Sequence, residues 1–368
     1  MAMSVALADE IKNWEPLSQE WVPPQPLFRD EQIKEIQYGL SVPDNHLFLY
    51  GMKGLGKTMV THIITDDFIK QGKVLFIPCG RTARGAFKEW VPDGEKYNLI
   101  LAKLAKENPL LVIFDDISSM FQKSTVSSWL HDIHDAAVRQ KTTFNLHMMV
   151  TSTLPLMVYL EKGYMTDFTQ SRLGFKTVTF KQYTPEQIQQ ILAQRVKLAL
   201  RHPELVEDEA LSYLSIRSAR LGSDMRFATR VLKGAISYAL RANTKITKIA
   251  MQESYKYEWH DFYKSQYLSM PPHKAFLLHT TFWLLHTQKG CTSTDTYQAY
   301  TAACNKYHIK PMRERMLRIY LEELEDERFI DVDRSLTRSG RITKITSAFD
   351  PSEMLAAVEG MDWSEILR

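Results

Sequence analysis

The sequence predicts an α/β domain with a mostly parallel sheet, then an all-helical segment, then a C-terminal winged helix-turn-helix. Three observations predict this. From residue 46 to about 180, short apolar strands alternate with helical patterns, an order that implies a parallel sheet covered by helices. From 182 to 268 the patterns are helical throughout. After Met270-Pro271-Pro272, the best linker signal in the chain, three helical patterns precede two short strands around a basic turn.

The elements follow in order. The 368 residues suit two or three domains at ~100–200 residues each. Residues 1–45 are a lead-in with Pro23, Pro24 and Pro26 and an amphipathic helix near 30–40. Strands are expected at 46–50 (HLFLY), 74–78 (VLFIP), 110–114 (LLVIF), 147–152 (HMMVTS) and 177–180 (TVTF), giving an α/β domain over 1–181. A helical domain is expected over 182–268. It opens at Thr184-Pro185-Glu186, a cap with Pro in the first turn. The winged helix is expected over 270–368, with helices at 273–287, 294–307 and 311–327 and strands at 329–332 (FIDV) and 342–348.

Hydrophobic content of 44% and charged content of 24% are those of an ordinary globular protein. A net charge of +3 is too small to argue for nucleic acid, so only a local cluster can do so. Cys79, Cys291 and Cys304 lie far apart and form no C-x-x-C, which predicts buried thiols in a reduced, intracellular chain. Asp9, Glu10 and Lys12 stand where a signal peptide needs an apolar run. No apolar stretch approaches the ~20 residues that cross a bilayer. The expected location is the cytoplasm, with the nucleoid, and no membrane partner is expected.

The first strand runs into LYGMKGLGKTMVT, residues 49–61. Gly51, Met52, Lys53, Gly54, Leu55, Gly56, Lys57 and Thr58 fit the phosphate-binding pattern G-x-x-x-x-G-K-[ST]. Glycines let the backbone wrap a phosphate with its N–H groups inward. Lys57 is expected to reach the β- and γ-phosphates of ATP or ADP, and Thr58 to offer a hydroxyl to Mg²⁺. The third strand ends in Asp115-Asp116. The first acid suits Mg²⁺, and the second suits orienting or deprotonating the attacking water.

Thr151-Ser152-Thr153 ends the fourth strand, and Thr153 is the candidate to sit between Asp116 and the γ-phosphate. Arg172, before the last strand, is the candidate to reach a neighbouring protomer's nucleotide. Arg226, in GSDMR, is the candidate to fold over the phosphates of its own chain.

Arg313, Arg315 and Arg318 lie on the third winged-helix helix. The segment from Arg334 to Lys344 holds Arg334, Arg338, Arg341 and Lys344 and no acid, a composition suited to a wing on double-stranded DNA. Against this, Glu322, Glu323, Glu325, Asp326 and Glu327 crowd the end of that helix, where the dipole disfavours them.

This order of motifs resembles AAA+ ATPases, and its details resemble the archaeal and eukaryotic origin-recognition and helicase-loading initiators. VPPQPLFRDEQIKEI resembles their N-terminal box, which implies that Leu27 and Arg29, with Gln32, pack beside adenine. SRLGFKTVTFKQYTPEQIQQIL resembles their arginine-finger box and following helix. GSDMRFATRVLKGA resembles their sensor-2 helix, and PMRERMLRIYLEEL the recognition-helix region of their winged helix.

The resemblance implies an AAA+ RecA-like core, an all-α lid, origin DNA as partner, and further initiator protomers and the replicative helicase as others. It also implies a second DNA contact near Arg81 and Arg84. Three departures imply a divergent paralogue: Asp116 for the usual Glu, Thr153 for the usual Asn, and Phe28 for a common His. A carboxylate one methylene shorter retreats by ~1.5 Å, which points to slow or conditional hydrolysis. A DNA-binding regulator that uses ATP or ADP as a structural switch, or a mobile-element helper, remains an alternative.

Overall fold

The computed structural model describes residues 10–70, 74–79, 111–119, 130–131, 134–135, 146–288, 290–337 and 340–367. The expected sites Arg81, Arg84 and Arg338 lie outside the described residues. Two compact units are present. One comprises Met1–Glu204 with Gly222–Thr229, and the other Leu205–Leu221 with Arg230–Arg368.

In the first unit, five strands form one parallel sheet: β1 (Leu47–Tyr50), β2 (Val74–Pro78), β3 (Leu111–Asp115), β4 (His147–Ser152) and β5 (Lys176–Thr179), in the order β2-β3-β4-β1-β5. All pairings are parallel, with Leu49 opposite Thr151 and Phe114 opposite Val150. Parallel strands covered on both faces read as continuous apolar runs, and Leu111 to Phe114 are buried without a break. Phe48, Phe114, Met148 and Tyr159 fill the core beneath. Because β3, β4 and β1 are neighbours, their carboxyl ends meet at one edge, the edge at which open α/β sheets bind ligands. The sequence-read strands agree with these to within a residue or so at each end.

Local chemistry sets the helices around the sheet. Thr184 caps the Pro185–Ala199 helix in a complete capping box with Gln187. Thr166 caps Asp167–Leu173, which ends at Gly174 in the left-handed region, φ 57°.

The second unit contains the helices Asp208–Arg220, Lys248–Ser269, Pro272–Gln288, Ser293–Lys306 and Glu314–Asp326. Three antiparallel strands follow the winged-helix order: β6 (Cys291–Thr292), β7 (Asp331–Thr337) and β8 (Gly340–Thr346), arranged β6-β8-β7. Tyr255, Trp259, Tyr263 and Tyr267 recur at helical spacing and are buried. They form a packed face of the Lys248–Ser269 helix, with the Trp259 and Tyr263 rings 4.3 Å apart. Arg217 pairs with Glu353, and Trp259 Nε1 donates to the Glu353 carbonyl at 3.3 Å. These contacts tie the Asp208–Arg220 and Lys248–Ser269 helices to the Pro351–Ala356 helix. All three cysteines are buried free thiols. No helix among the described residues is long and apolar enough to cross a membrane.

Candidate functional site

Glycine 54 (φ 74°) and Gly56 (φ 86°) turn the chain between β1 and the Lys57–Lys70 helix, with backbone angles that glycine adopts readily. Gly51 is needed for space, because a β-carbon there would lie 2.7 Å from the Phe180 carbonyl oxygen. Lys57 is 8% exposed, and its Nζ donates to the carbonyls of Gly51 (2.6 Å) and Met52 (2.9 Å). Burial lowers its pKa to about 8 against the attraction of Asp116, with Arg226 lowering it further. Lys57, Asp116 and Arg226 therefore share one electrostatic neighbourhood.

The strand ends supply the rest. Thr58 Oγ1 donates to Asp115 at 3.0 Å and 3.2 Å from its two oxygens, so the two residues expected to hold Mg²⁺ do converge. Thr151 Oγ1 donates to Asp115 Oδ1 at 2.7 Å and accepts the Asp116 N–H at 2.8 Å. Asp116 stands at φ 58°, a left-handed conformation that Asp tolerates better than most residues. Its Oδ1 accepts from Ser118 Oγ at 2.5 Å. Thr153 reaches the same serine through Oγ1 (2.7 Å) and N–H (3.1 Å). A hydroxyl-and-carboxylate set of this kind suits a hydrated divalent cation beside phosphate.

Ser223 is fully buried at φ 65°, and its Oγ donates to the Tyr183 carbonyl at 2.9 Å. That turn delivers Asp224 to Gly54, and Met225 N–H donates to the Gly54 carbonyl at 3.3 Å. Arg226 makes a two-pronged pair with Asp224 at 3.2 Å and 3.0 Å.

Arg29 is 4% exposed. It donates to the carbonyls of Leu55 (3.1 Å), Phe28 (3.0 Å) and Lys181 (3.0 Å), and its guanidinium lies 3.7 Å from the centre of the Tyr183 ring. Arg29 thus braces the phosphate loop against the segment after β5, and Leu27 is half-buried beside it. Arg172 pairs with Asp135 at 2.6 Å, with His131 Nε2 3.3 Å away.

Asp44, His46 and His134 group closely enough to raise the question of a metal. His46 Nδ1 accepts the Met148 N–H at 3.1 Å. A neutral ring therefore carries its proton on Nε2, the nitrogen facing Asp44, and has no lone pair there for a cation.

In the winged helix, Arg313 is the N-cap residue of Glu314–Asp326, and Arg315 is exposed two residues further on. Arg318 pairs with Glu314 at 2.9 Å. Arg334 pairs with Glu325 at 2.5 Å. Lys344 is exposed on β8, the strand that also contains Arg341. The acidic helix end has its explanation here. Lys274, 1% exposed, donates to Glu323 (2.8 Å) and Glu327 (3.0 Å), so three of those acids neutralise cations of their own domain.

A model of the AAA family (ATPases associated with various cellular activities) matches residues 47–152, and one of the CDC6 C-terminal winged helix domain matches 267–357. The chain has the AAA+ fold in its parallel-sheet core and a winged helix at its C-terminal end. Among curated proteins, this chain is 25% identical over 350 residues to the ORC1-type DNA replication protein of Thermococcus onnurineus, covering 85% of this chain and 82% of that one. It is 22% identical over 380 residues to ORC1-type DNA replication protein 1 of Sulfurisphaera tokodaii, covering 95% and 93%. Its fold is similar to that of the Aeropyrum pernix ORC1 protein solved in complex with DNA, with TM-score 0.71, 18% identity, and 96% and 97% of the two chains covered. The Aeropyrum pernix ORC2 protein, solved as ADPNP–ADP complexes, gives TM-score 0.61 at 16% identity over 97% and 98%.

The motifs led directly to the loop, both acids, Thr153 and Arg226. They did not lead to Thr151, Ser118, Asp224 or Tyr183. Of these, Thr151 and Asp224 carried a readable signal: a polar residue at a central strand's carboxyl end, and an acid two residues before a candidate phosphate-facing arginine.

Proposed function

We propose that the chain is an ATP-dependent initiator of DNA replication that recognises double-stranded origin DNA and helps to load the replicative helicase, with slow or conditional ATP hydrolysis. The observation that carries this reading is the docking of the Asp224–Arg226 segment on Gly54 in a chain that also has a winged helix.

Lys57 and the loop N–H groups would hold the phosphates, and Thr58 and Asp115 the Mg²⁺, which when bound neutralises phosphate charge. Asp116 would position water, and Thr153 and Arg226 would respond to the γ-phosphate. Arg172 would act on a neighbouring protomer's nucleotide once Asp135 releases it. The Met225–Ala242 helix starts in the first unit and continues in the second. A γ-phosphate that draws Arg226 off Asp224 therefore biases a helix continuous with the DNA-binding unit, a two-state switch. Arg313, Arg315 and Lys344, with Arg338 and Arg341, would contact phosphate.

Two measurements test this: ATP turnover with and without duplex DNA, and footprinting over the candidate origin beside the gene. Protection of a defined repeat supports the initiator, whereas sequence-indifferent binding contradicts it. A second reading, a DNA-binding regulator with little turnover, is favoured by the residue types at two positions, Asp116 one methylene shorter than Glu and Thr153 in place of Asn. Turnover that duplex DNA fails to raise above background would select it.

A further inference from the structure

Ser118 belongs to none of the motifs above, yet its hydroxyl is fully committed within the site. It donates to Asp116 Oδ1 at 2.5 Å and accepts from Thr153 Oγ1 at 2.7 Å and Thr153 N–H at 3.1 Å. A hydroxyl has one proton and two lone pairs, and these bonds use all three, with the Tyr159 hydroxyl a further neighbour. We propose that Ser118 is a positioning residue that joins Asp116 and Thr153 into one hydrolytic unit. The proposal rests on the reading of the site as an ATPase.

The direction of each bond follows from valence. An ionised carboxylate can only accept, so the Ser118 proton goes to Asp116. Ser118 then has no proton for Thr153, so Thr153 Oγ1 must donate its own. The distances agree, since hydroxyl-to-carboxylate bonds are short, about 2.5–2.7 Å.

Two consequences follow. First, Asp116 cannot swing freely. Its N–H is held by Thr151 at 2.8 Å, its backbone is left-handed at φ 58°, and Ser118 fixes the carboxylate. Water positioning tolerates little displacement, and this clamp gives the shorter acid a single aim. Second, Thr153 has one hydroxyl proton, and Ser118 takes it. A phosphate oxygen that accepts from Thr153 must break the Thr153–Ser118 bond, which alters the partner of Asp116. Phosphate sensing and water positioning are thus coupled through one serine rather than through a direct contact between the two residues.

The experiment is steady-state ATP turnover by the full chain with Ser118→Ala, Thr153→Ala and both together, with ADP affinity measured alongside. Ser118→Ala is expected to lower kcat by roughly tenfold to a hundredfold, with KM for ATP and ADP affinity within about twofold of wild type. The double variant is expected to be no slower than the slower single one, because residues acting as a unit are not additive. A residue that only supports the local fold would move KM and ADP affinity together with kcat. Unchanged kcat in Ser118→Ala, or a double loss equal to the product of the single losses, overturns the proposal and leaves the ATPase reading standing. A wild-type chain that binds ATP but shows no turnover overturns both.

Discussion

The carboxylate of Asp224 occupies the space that a side chain on Gly54 would need. A β-carbon at Gly54 would lie 2.7 Å from the Asp224 α-carbon and closer still to its carboxylate, and Gly54 stands at φ 74°. The phosphate loop and the segment carrying Arg226 are therefore fitted to each other. Gly54→Ala is expected to cost about 1–3 kcal/mol of stability from backbone strain and to weaken ADP binding by roughly tenfold or more. Chemical denaturation and a fluorescent-nucleotide titration read both. Wild-type ADP affinity in this variant would show that the fit is incidental.

His46 gives the first unit an acid-side weakness. Burial, then His134 and His147, lower its pKa to about 4. The folded ring resists a proton that the unfolded ring accepts from about pH 6.5 downward, so this contribution is complete above pH 6.5 and is lost as pH falls toward 4. The expected loss is about 2 kcal/mol by pH 5. Urea denaturation at pH 7 and pH 5 measures it, and His46→Gln should shrink the difference between the two.

Lys274 predicts an asymmetry between two ways of breaking one ion cluster. The ammonium is buried, whereas Glu323 and Glu327 are 47% and 35% exposed. Removing both acids leaves a buried charge unpaired, and Glu323→Ala with Glu327→Ala is expected to cost about 3–5 kcal/mol. Lys274→Met leaves two acids that water can reach, so a cost below about 1.5 kcal/mol is expected. Equal losses would place the lysine outside this role.

The basic side chains of the winged helix are expected to differ in their contribution to DNA binding. Among the described residues, Arg315 and Lys344 have no carboxylate partner, whereas Arg318 and Arg334 are held by Glu314 and Glu325. Arg315→Ala and Lys344→Ala should each reduce the slope of log affinity against log salt by about 1. Arg318→Ala and Arg334→Ala should reduce it less, because their charge is already compensated. A uniform loss at all four would mean that DNA displaces both internal acids.

Much of this architecture was legible because apolar runs in a parallel sheet have no polar interruption, so β1 to β5 stand out in the sequence. β6 did not, since Cys291–Thr292 is two residues long and carries no period. In the site, residues tied to a spacing were found: Lys57, Thr58, Asp115 and Asp116. Residues that work through long-range contacts were not. Ser118 meets Thr153 across 35 positions, and Thr151 meets Asp115 across 36, so neither Ser118 nor Thr151 belongs to a spaced motif. The acidic end of the Glu314–Asp326 helix looked unfavourable from the sequence because Lys274, its partner, lies on another helix 49 positions before Glu323.

The most direct test of the nucleotide switch is duplex-DNA affinity of the full chain loaded with ATP and with ADP, at one fixed salt concentration. The expected result is a Kd difference of roughly fivefold or more between the two states, abolished by Arg226→Ala while nucleotide remains bound. Equal DNA affinity in the ATP and ADP states of the wild-type chain would contradict it.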